Sequence, residues 1–278
     1  MNPAAHSTTE PPTSRLAVYD RFGPRPQDGR DTVEMRLDAR LVMVEDLTPW
    51  ERDAMCLLME RHYANVHRHV FEADLARKRW VILVSDPAAD RLCGFSTQQL
   101  LDVIVERRPV KVLFSGDTII EREYWGDHAL SHTWGRLALS LIDADPGAEL
   151  YWFLISQGYR TYRFLPVFFN EYYPRYDRAI PAWAGDVLDA AARATFPGQY
   201  DAEAGVIRAS AWQYRLRAGL AEVTPERLKD PQVRFFQDRN PGHALGDELC
   251  CLAPLTRANF TRAAYRVIGT ETRERIPS

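Results

Sequence analysis

The feature that most constrains the fold is the segment 110–173, where strand-like and helix-like patterns of apolar residues alternate over short spans. In chain order the pattern predicts a strand (110–121), a turn (125–128), a helix (129–142), a buried strand (149–156) and a second helix (158–170). Alternation of strands and helices indicates a chain of the α/β or α+β class, in which helices cover a sheet.

The region before this segment adds further strands and helices. Thr48, Pro49 and Glu51 form a helix-start signal, because threonine caps a helix, proline suits its first turn and glutamate three residues later completes a capping box. The remaining predictions here are listed together: strands at 41–44, 80–84 and 92–101, and a helix at 71–79.

The two ends of the chain differ from this central part. Residues 1–31 are rich in proline, serine, threonine, glycine and charge, which predicts a flexible tail. Residues 35–176 are expected to form the main domain. Beyond Tyr176, proline and glycine divide the chain into short pieces, so residues 181–269 are interpreted as an α/β extension packed on the core.

Bulk properties exclude several classes of protein. The net charge of −3 gives no basic surface for nucleic acid. The four cysteines, Cys56, Cys93, Cys250 and Cys251, show no zinc or disulfide spacing, which favours reduced thiols in a cytoplasmic protein. The chain shows neither a signal-peptide pattern nor an apolar run long enough to span a membrane. Lysine occurs only at Lys78, Lys111 and Lys229, which is typical of GC-rich coding and consistent with a bacterial source.

The order of elements over residues 41–170 resembles the GNAT superfamily of N-acyltransferases. The resemblance covers about half of the chain and depends on element order, on Gly94 and Phe95 at the start of the third strand, and on the strand-turn-helix of 110–142. It implies a mixed, mostly antiparallel sheet flanked by helices, whose fourth and fifth strands splay apart around an acyl-thioester arm. It also implies acyl-coenzyme A or acyl-phosphopantetheine as co-substrate, with no permanently bound cofactor.

The turn before the predicted helix departs from the family's pattern. The N-terminus of a helix carries unpaired N–H groups and partial positive charge, so it can hold a diphosphate. In the family this turn reads Gln/Arg-x-x-Gly-x-Gly/Ala, and the best match in this chain is 123–128. Gly126 fits, whereas Glu123 and Asp127 add negative charge and His128 adds bulk.

Three interpretations of this turn stay open. The chain can bind coenzyme A through a variant loop. It can instead take its acyl group from an acyl carrier protein, whose phosphopantetheine has one phosphate. Or it keeps the fold and has lost coenzyme A chemistry.

Acyl transfer to an amine needs a base, an oxyanion stabiliser and an acid for the thiolate. The resemblance implies a carboxylate on the fourth strand as base, where Glu121 and Asp117 are expected to share one face by period-two alternation. It implies a tyrosine after the last core helix as acid, where Tyr172 and Tyr173 lie. Solvated or capping carboxylates and aromatic packing are the structural alternatives for these residues.

Contacts to the co-substrate are expected from the turn and from the end of the fifth strand. These candidates are Trp125, Gly126, Asp127, His128, Ala129 and Ser156. His67 and His69 fall where acyltransferases of this fold shape the acceptor pocket, and Trp152 belongs to an aromatic set that could wall a pocket. The histidines lack the i, i+4 spacing of zinc ligands, so no metal site is expected.

These observations predict an acyltransferase that moves an acyl group from a coenzyme A or carrier-protein thioester to an amine of a small molecule. The alternative is a non-catalytic binding or assembly protein that keeps the fold. Polar Asp117 and Glu121 favour the enzyme, and Glu123 with His128 favours the alternative. The oligomeric state is not predicted.

Overall fold

The computed structural model describes residues 36–210, 214–217 and 223–269. The predicted tail at 1–31 and the predicted domain start at Met35 lie outside these residues. Within the described part the strands are β1 (Asp38–Met43), β2 (Tyr63–Ala64), β3 (Trp80–Asp86), β4 (Arg91–Val105), β5 (Arg108–Ile120), β6 (Leu150–Ser156), β7 (Tyr200–Asp201), β8 (Val206–Ile207), β9 (Arg215–Leu216) and β10 (Glu248–Pro254). The helices are α1 (Pro49–His62), α2 (Arg68–Leu75), α3 (Ala129–Ala144), α4 (Tyr159–Tyr162), α5 (Phe164–Phe168), α6 (Ala182–Thr195), α7 (Pro231–Arg239) and α8 (Arg262–Ile268).

Eight of these strands form one sheet in the order β1-β3-β4-β5-β6-β10-β8-β7. Every neighbouring pair is antiparallel except β5 and β6, which run parallel because α3 crosses between them. The predicted fold class, a mixed and mostly antiparallel sheet flanked by helices, is confirmed. The extension after residue 181 contributes β7, β8 and β10 to this same sheet.

Helices cover both faces of the sheet. One core cluster joins α1 and α2 to β3, β4 and β5 through Met55, Phe71 and Phe95, each at most 1% exposed. A second cluster joins α6 to β5, β6 and β10, with Phe114 and Phe153 at its centre. The indole of Trp134 on α3 lies 4.4 Å from that of Trp152 on β6.

Local signals explain where several helices begin. Thr48 Oγ1 accepts from the Glu51 N–H, and the Glu51 carboxylate accepts from the Thr48 N–H at 2.7 Å, so the predicted capping box of α1 is confirmed. The α7 start is similar, because the Asp230 carboxylate accepts from the Gln232 N–H.

The single helix predicted over 158–170 is wrong. The structure has two short helices, α4 and α5, joined at Arg163. Pro166 explains the break, since proline has no N–H to donate to the carbonyl four residues earlier and its ring crowds the preceding turn.

Candidate functional site

The site is built where β5 and β6 part. The two strands pair from Lys111 with Leu150 to Ser115 with Leu154, and no pairing between them follows. On its other side β5 contains a bulge, because Gln98 pairs with Ser115 while Ser96 pairs with Thr118. Two residues of β5, Gly116 and Asp117, therefore oppose a single residue of β4. A bulge bends a strand, and this bulge follows directly on the last pair between β5 and β6.

A buried polar network fixes the strands at this point. Ser115 Oγ donates to Gln98 Oε1, and Gln98 Nε2 donates to Ser96 Oγ, each at 2.7 Å. The indole N–H of Trp152 donates to Ser115 Oγ at 2.9 Å. Trp152 is 6% exposed and its ring packs against Trp134 and Phe169, so its contact with a substrate stays a prediction. Buried polar groups that are all bonded hold one geometry, which makes the opening rigid.

Asp117 lies in the bulge and is half-buried. Burial and the neighbouring Asp74 carboxylate raise the pKa of Asp117 to about 7, while the Lys78 ammonium opposes this shift. Its side chain has no hydrogen bond to any residue of the described ranges. A carboxylate that titrates near neutrality and is not held by other groups can accept a proton from a substrate.

Lys78 is a buried cation beside this acid. Its side chain is 3% exposed, and its Nζ lies 2.6 and 2.8 Å from the two carboxylate oxygens of Asp74, one turn earlier. A side chain at Gly116 would come within 2.9 Å of Lys78 Cε, so the lysine packs directly on the bulge. Lys78 and Asp74 were not predicted as site residues, although their i, i+4 spacing is visible in the sequence.

Two tyrosines stand near the same acid. The rings of Tyr63 and Tyr214 are 6.2 Å apart, and β2 and β9 pair to bring them together. Burial, and after it the Asp117 carboxylate, raises the pKa of both hydroxyls, so each stays protonated near neutral pH. The Tyr214 hydroxyl is buried and has no hydrogen-bond partner among the described residues. Sequence reasoning missed both residues, because their meeting depends on a pairing distant in the chain.

Glu121 lies at the end of β5 between two arginines. Arg61 Nη1 contacts one carboxylate oxygen at 2.5 Å, and Arg91 contacts the other. An open cleft of about 550 Å³ adjoins it, lined by His62, Arg91, Glu121, Arg122 and Glu123. Both carboxylate oxygens of Glu121 are therefore engaged in ion pairs within the chain.

The turn before α3 is occupied by the chain's own carboxylate. Asp127 Oδ1 accepts from the Ala129 N–H at 2.8 Å, and Oδ2 accepts from the Arg36 and Leu37 N–H groups at 2.8 and 3.3 Å. Gly126 has φ of +106°, a conformation that favours glycine. His128 precedes α3 without a side-chain cap. At this helix N-terminus Asp127 takes a position that a bound anion could occupy.

Trp125 lies against the end of β5. Its indole N–H donates to the Ile120 carbonyl at 3.0 Å. On the facing strand, Ser156 is buried, its Oγ donates to the Gly158 carbonyl at 2.8 Å, and its own carbonyl accepts from Asn240 at 3.4 Å. Backbone and side-chain groups expected to receive a pantetheine arm are therefore bonded within the chain.

The tyrosines proposed as acids are buried away from solvent, each 2% exposed. The Tyr172 hydroxyl accepts from Gln232 and the Tyr173 hydroxyl donates to Glu171, both at 2.9 Å. Backbone hydrogen bonds to Leu252 tie Tyr173 to β10. Burial raises the pKa of both phenols, and their role as acids stays a prediction.

His67 and His69 are exposed at the start of α2, with ring centroids 5.9 Å apart. Their contact with an acceptor stays a prediction. Across the ranges 36–210, 214–217 and 223–269, no group of three or more histidine, cysteine, aspartate or glutamate side chains is placed to hold a metal ion. Within the same ranges no helix is both long and apolar enough to cross a membrane.

No protein-family model matches this chain, and no curated protein is detectably similar in sequence. Solved structures with partial likeness include a probable N-acyltransferase of Enterococcus faecalis (16% identity, TM-score 0.35) and the GNAT family N-acetyltransferase YhbS of Escherichia coli, solved with coenzyme A (13%, 0.34). A third is glucosamine-6-phosphate N-acetyltransferase of Arabidopsis thaliana (11%, 0.32). They cover 45, 49 and 52% of this chain, which spans 31, 71 and 95% of theirs.

The fold is GNAT-like. This follows from the strand order, in which antiparallel β1, β3, β4 and β5 lead to a parallel β5–β6 pair that parts around a polar gap, with α3 between those strands. The resemblance predicted from the sequence is confirmed as a fold.

Proposed function

We propose that this protein is an acyltransferase that moves an acyl group from a thioester to an amine of a small molecule, with Asp117 as the base. The observation that carries the proposal is the state of Asp117. It stands at the opening between β5 and β6, and it combines a pKa of about 7 with a side chain that no described residue bonds. A general base is most effective when its pKa lies near the working pH.

The reaction assigns a role to each neighbouring group. Asp117 takes a proton from the substrate ammonium, and the neutral amine then attacks the thioester carbonyl carbon. The tetrahedral intermediate then breaks its C–S bond while its nitrogen loses a second proton, and that proton is taken up by the departing thiolate. Tyr63 and Tyr214 stay protonated beside Asp117 and can donate hydrogen bonds to the reacting groups. Lys78 and Asp74 hold the bulge and set the local charge.

The test is release of free thiol from acyl-coenzyme A, acyl-phosphopantetheine and acyl-carrier-protein thioesters in the presence of a panel of primary amines. Asp117→Asn should lower turnover by roughly 10² to 10⁴, the usual contribution of a general base. Asp102→Asn is the matched control, because Asp102 is an exposed aspartate on adjacent β4, paired only with Lys111 among described residues. Amine-dependent turnover that Asp117→Asn leaves intact would exclude Asp117 as the base.

A second candidate is a non-catalytic protein that keeps the fold. The hydrogen bonds within the turn before α3 favour this candidate. The Asp127 carboxylate accepts from the Ala129 N–H, and the Trp125 indole donates to the Ile120 carbonyl at the end of β5. Thermal shifts with coenzyme A, acetyl-coenzyme A and a long-chain acyl-coenzyme A separate the two. A ligand at about 100 times its dissociation constant adds roughly 2.7 kcal/mol to stability. An absence of shift, together with an absence of turnover from any thioester, supports the non-catalytic candidate.

A further inference from the structure

Two arginines beside the turn have no acidic partner among the residues that the structure describes. The guanidinium carbon of Arg122 lies 5.6 Å from the centre of the Trp125 ring, and that of Arg160 lies 4.2 Å from it. Both side chains are exposed, and neither forms an ion pair with a residue in the described ranges. The neighbouring Arg163 and Arg175 differ, because they pair with Asp230 and Asp177.

The surroundings of this pair suit one phosphate better than two. Arg122 lines the cleft of about 550 Å³, so its guanidinium is open to a ligand. The adjacent N-terminus of α3 is capped by Asp127, and the Glu123 carboxylate stands next to Arg122 in the same cleft. A diphosphate reaching for the helix would meet both carboxylates. A single phosphate bound by arginines outside the turn would avoid Asp127.

We infer that Arg122 and Arg160, grouped around Trp125, form a subsite for the single phosphate of a phosphopantetheine arm carried by an acyl carrier protein. Guanidinium groups present forked N–H donors that match phosphate oxygens, and such charge-assisted bonds are stronger than neutral ones. This inference rests on the proposed function, since it names the class of donor. The arm would pass from this subsite to the gap between β5 and β6, with Trp125 beside its path.

Binding of three small probes tests the subsite. Pantetheine, 4′-phosphopantetheine and coenzyme A are titrated calorimetrically into the full chain and into the Arg122→Ala/Arg160→Ala double variant. Phosphopantetheine should bind at least about tenfold more tightly than pantetheine, which is the effect of one hydrogen bond to a charged group. Coenzyme A should bind no more tightly than phosphopantetheine. The double variant should bind phosphopantetheine and pantetheine equally.

Arg193→Ala is the matched control. Arg193 is also exposed and lies over an aromatic ring, 5.6 Å from the centre of Tyr200, but it is on α6 and pairs with Asp189. This variant should keep the preference for phosphopantetheine. A general loss of surface charge would lower that preference in both variants, and only a local subsite separates them.

The source of the phosphate is tested by turnover. An acyl carrier protein thioester should show a lower KM than the same acyl group on coenzyme A, and the double variant should abolish that difference. Equal binding of pantetheine and phosphopantetheine, or no binding of either, would overturn the subsite. Tighter binding of coenzyme A that survives the double variant would place the diphosphate on α3 instead. A preference for phosphopantetheine without preference for the carrier protein would overturn the carrier as source.

These outcomes are separable from failure of the proposed function. If a pantetheine thioester acylates an amine while the phosphate has no effect on binding, the acyltransferase activity is supported and the phosphate subsite is excluded. If phosphopantetheine binds preferentially while no thioester is turned over, the phosphate subsite is supported and the acyltransferase activity is excluded.

Discussion

Two aspartates of this protein, ten residues apart in sequence, lie in opposite hydrogen-bonding environments. The Asp127 carboxylate accepts hydrogen bonds from three backbone N–H groups, those of Ala129, Arg36 and Leu37. Asp117 receives no hydrogen bond from the described residues and has a pKa raised to about 7. In other proteins with a helix after a turn, the helix N-terminus can bind an anion. Here the chain's own Asp127 carboxylate bonds at that terminus, whereas the Asp117 carboxylate in the strand bulge accepts no hydrogen bond from the described residues.

The largest effect on stability is expected at Asp127. Asp127→Ala removes the helix cap and leaves two further N–H groups without their acceptor, so it should lower the free energy of unfolding by about 2–3 kcal/mol. Urea denaturation measures this. Asp143→Ala is the control on the same helix, because its exposed ion pair with Arg257 is worth less than about 1 kcal/mol. Equal losses in the two variants would remove the distinction between a bonded and an open aspartate.

Asp117→Asn should act in the other direction. In an unfolded chain an aspartate has a pKa near 3.9, whereas the folded value is about 7, so the folded chain binds more protons between these values. The contribution of Asp117 to the stability of the wild type therefore falls as pH rises from about 4 to about 7. Asparagine cannot ionise, so at pH 8 the variant should be more stable than wild type by about 1–3 kcal/mol, less than the full shift because the site is half-buried.

The measurement is denaturation at pH 8 and at pH 4 for wild type and variant. The gain should shrink at pH 4, where Asp117 is protonated in the folded chain. A variant that is less stable at pH 8 would mean that the ionised carboxylate is stabilised by its surroundings, as Asp127 is.

The contrast also shows what the sequence could and could not predict. The capping box of α1 and the start of α3 depend on residues within one turn, so local pattern predicts them. The bonds of Asp127 to residues 36 and 37 join segments about ninety positions apart. No local pattern contains that contact, and a contact of Asp127 with the co-substrate stays a prediction.

The surroundings of Asp117 show the same division between features that a local sequence pattern predicts and features that it does not. Asp117 was predicted as a base because the resemblance implies a carboxylate on the fourth strand and period-two alternation places Asp117 on the same face as Glu121. Its neighbours Lys78 and Tyr214 reach it through the packing of α2 and through the β2–β9 pairing. The sheet also continues beyond β6, because β10 pairs with β6 although a long segment separates the two strands in the chain. Pairing between distant strands is set by tertiary packing, which a single sequence does not display.

A smaller effect is expected when the two charges beside Asp117 are removed, and the quantity that changes is the pKa of Asp117. Asp74 raises the pKa of Asp117 and Lys78 lowers it, so Asp74→Asn should lower that pKa and Lys78→Met should raise it. Carboxyl ¹³C chemical shifts of labelled aspartate, followed by NMR over pH, measure both changes directly. The acidic limb of the pH–rate profile should move with them. Shifts of the same sign in both variants would show that repacking, not charge, sets the pKa.

The smallest effect on turnover is expected at Glu121, the competing candidate for the base. Its two oxygens are already held by Arg61 and Arg91, so Glu121→Gln should change turnover by less than about tenfold, below the usual contribution of a general base. Loss of the ion pairs should cost about 1 kcal/mol in stability. A fall of roughly a hundredfold or more in kcat, with KM for the thioester unchanged, would transfer the role of base to Glu121. The open carboxylate at Asp117 would then be a structural feature of the bulge, and the contrast with Asp127 would concern stability alone.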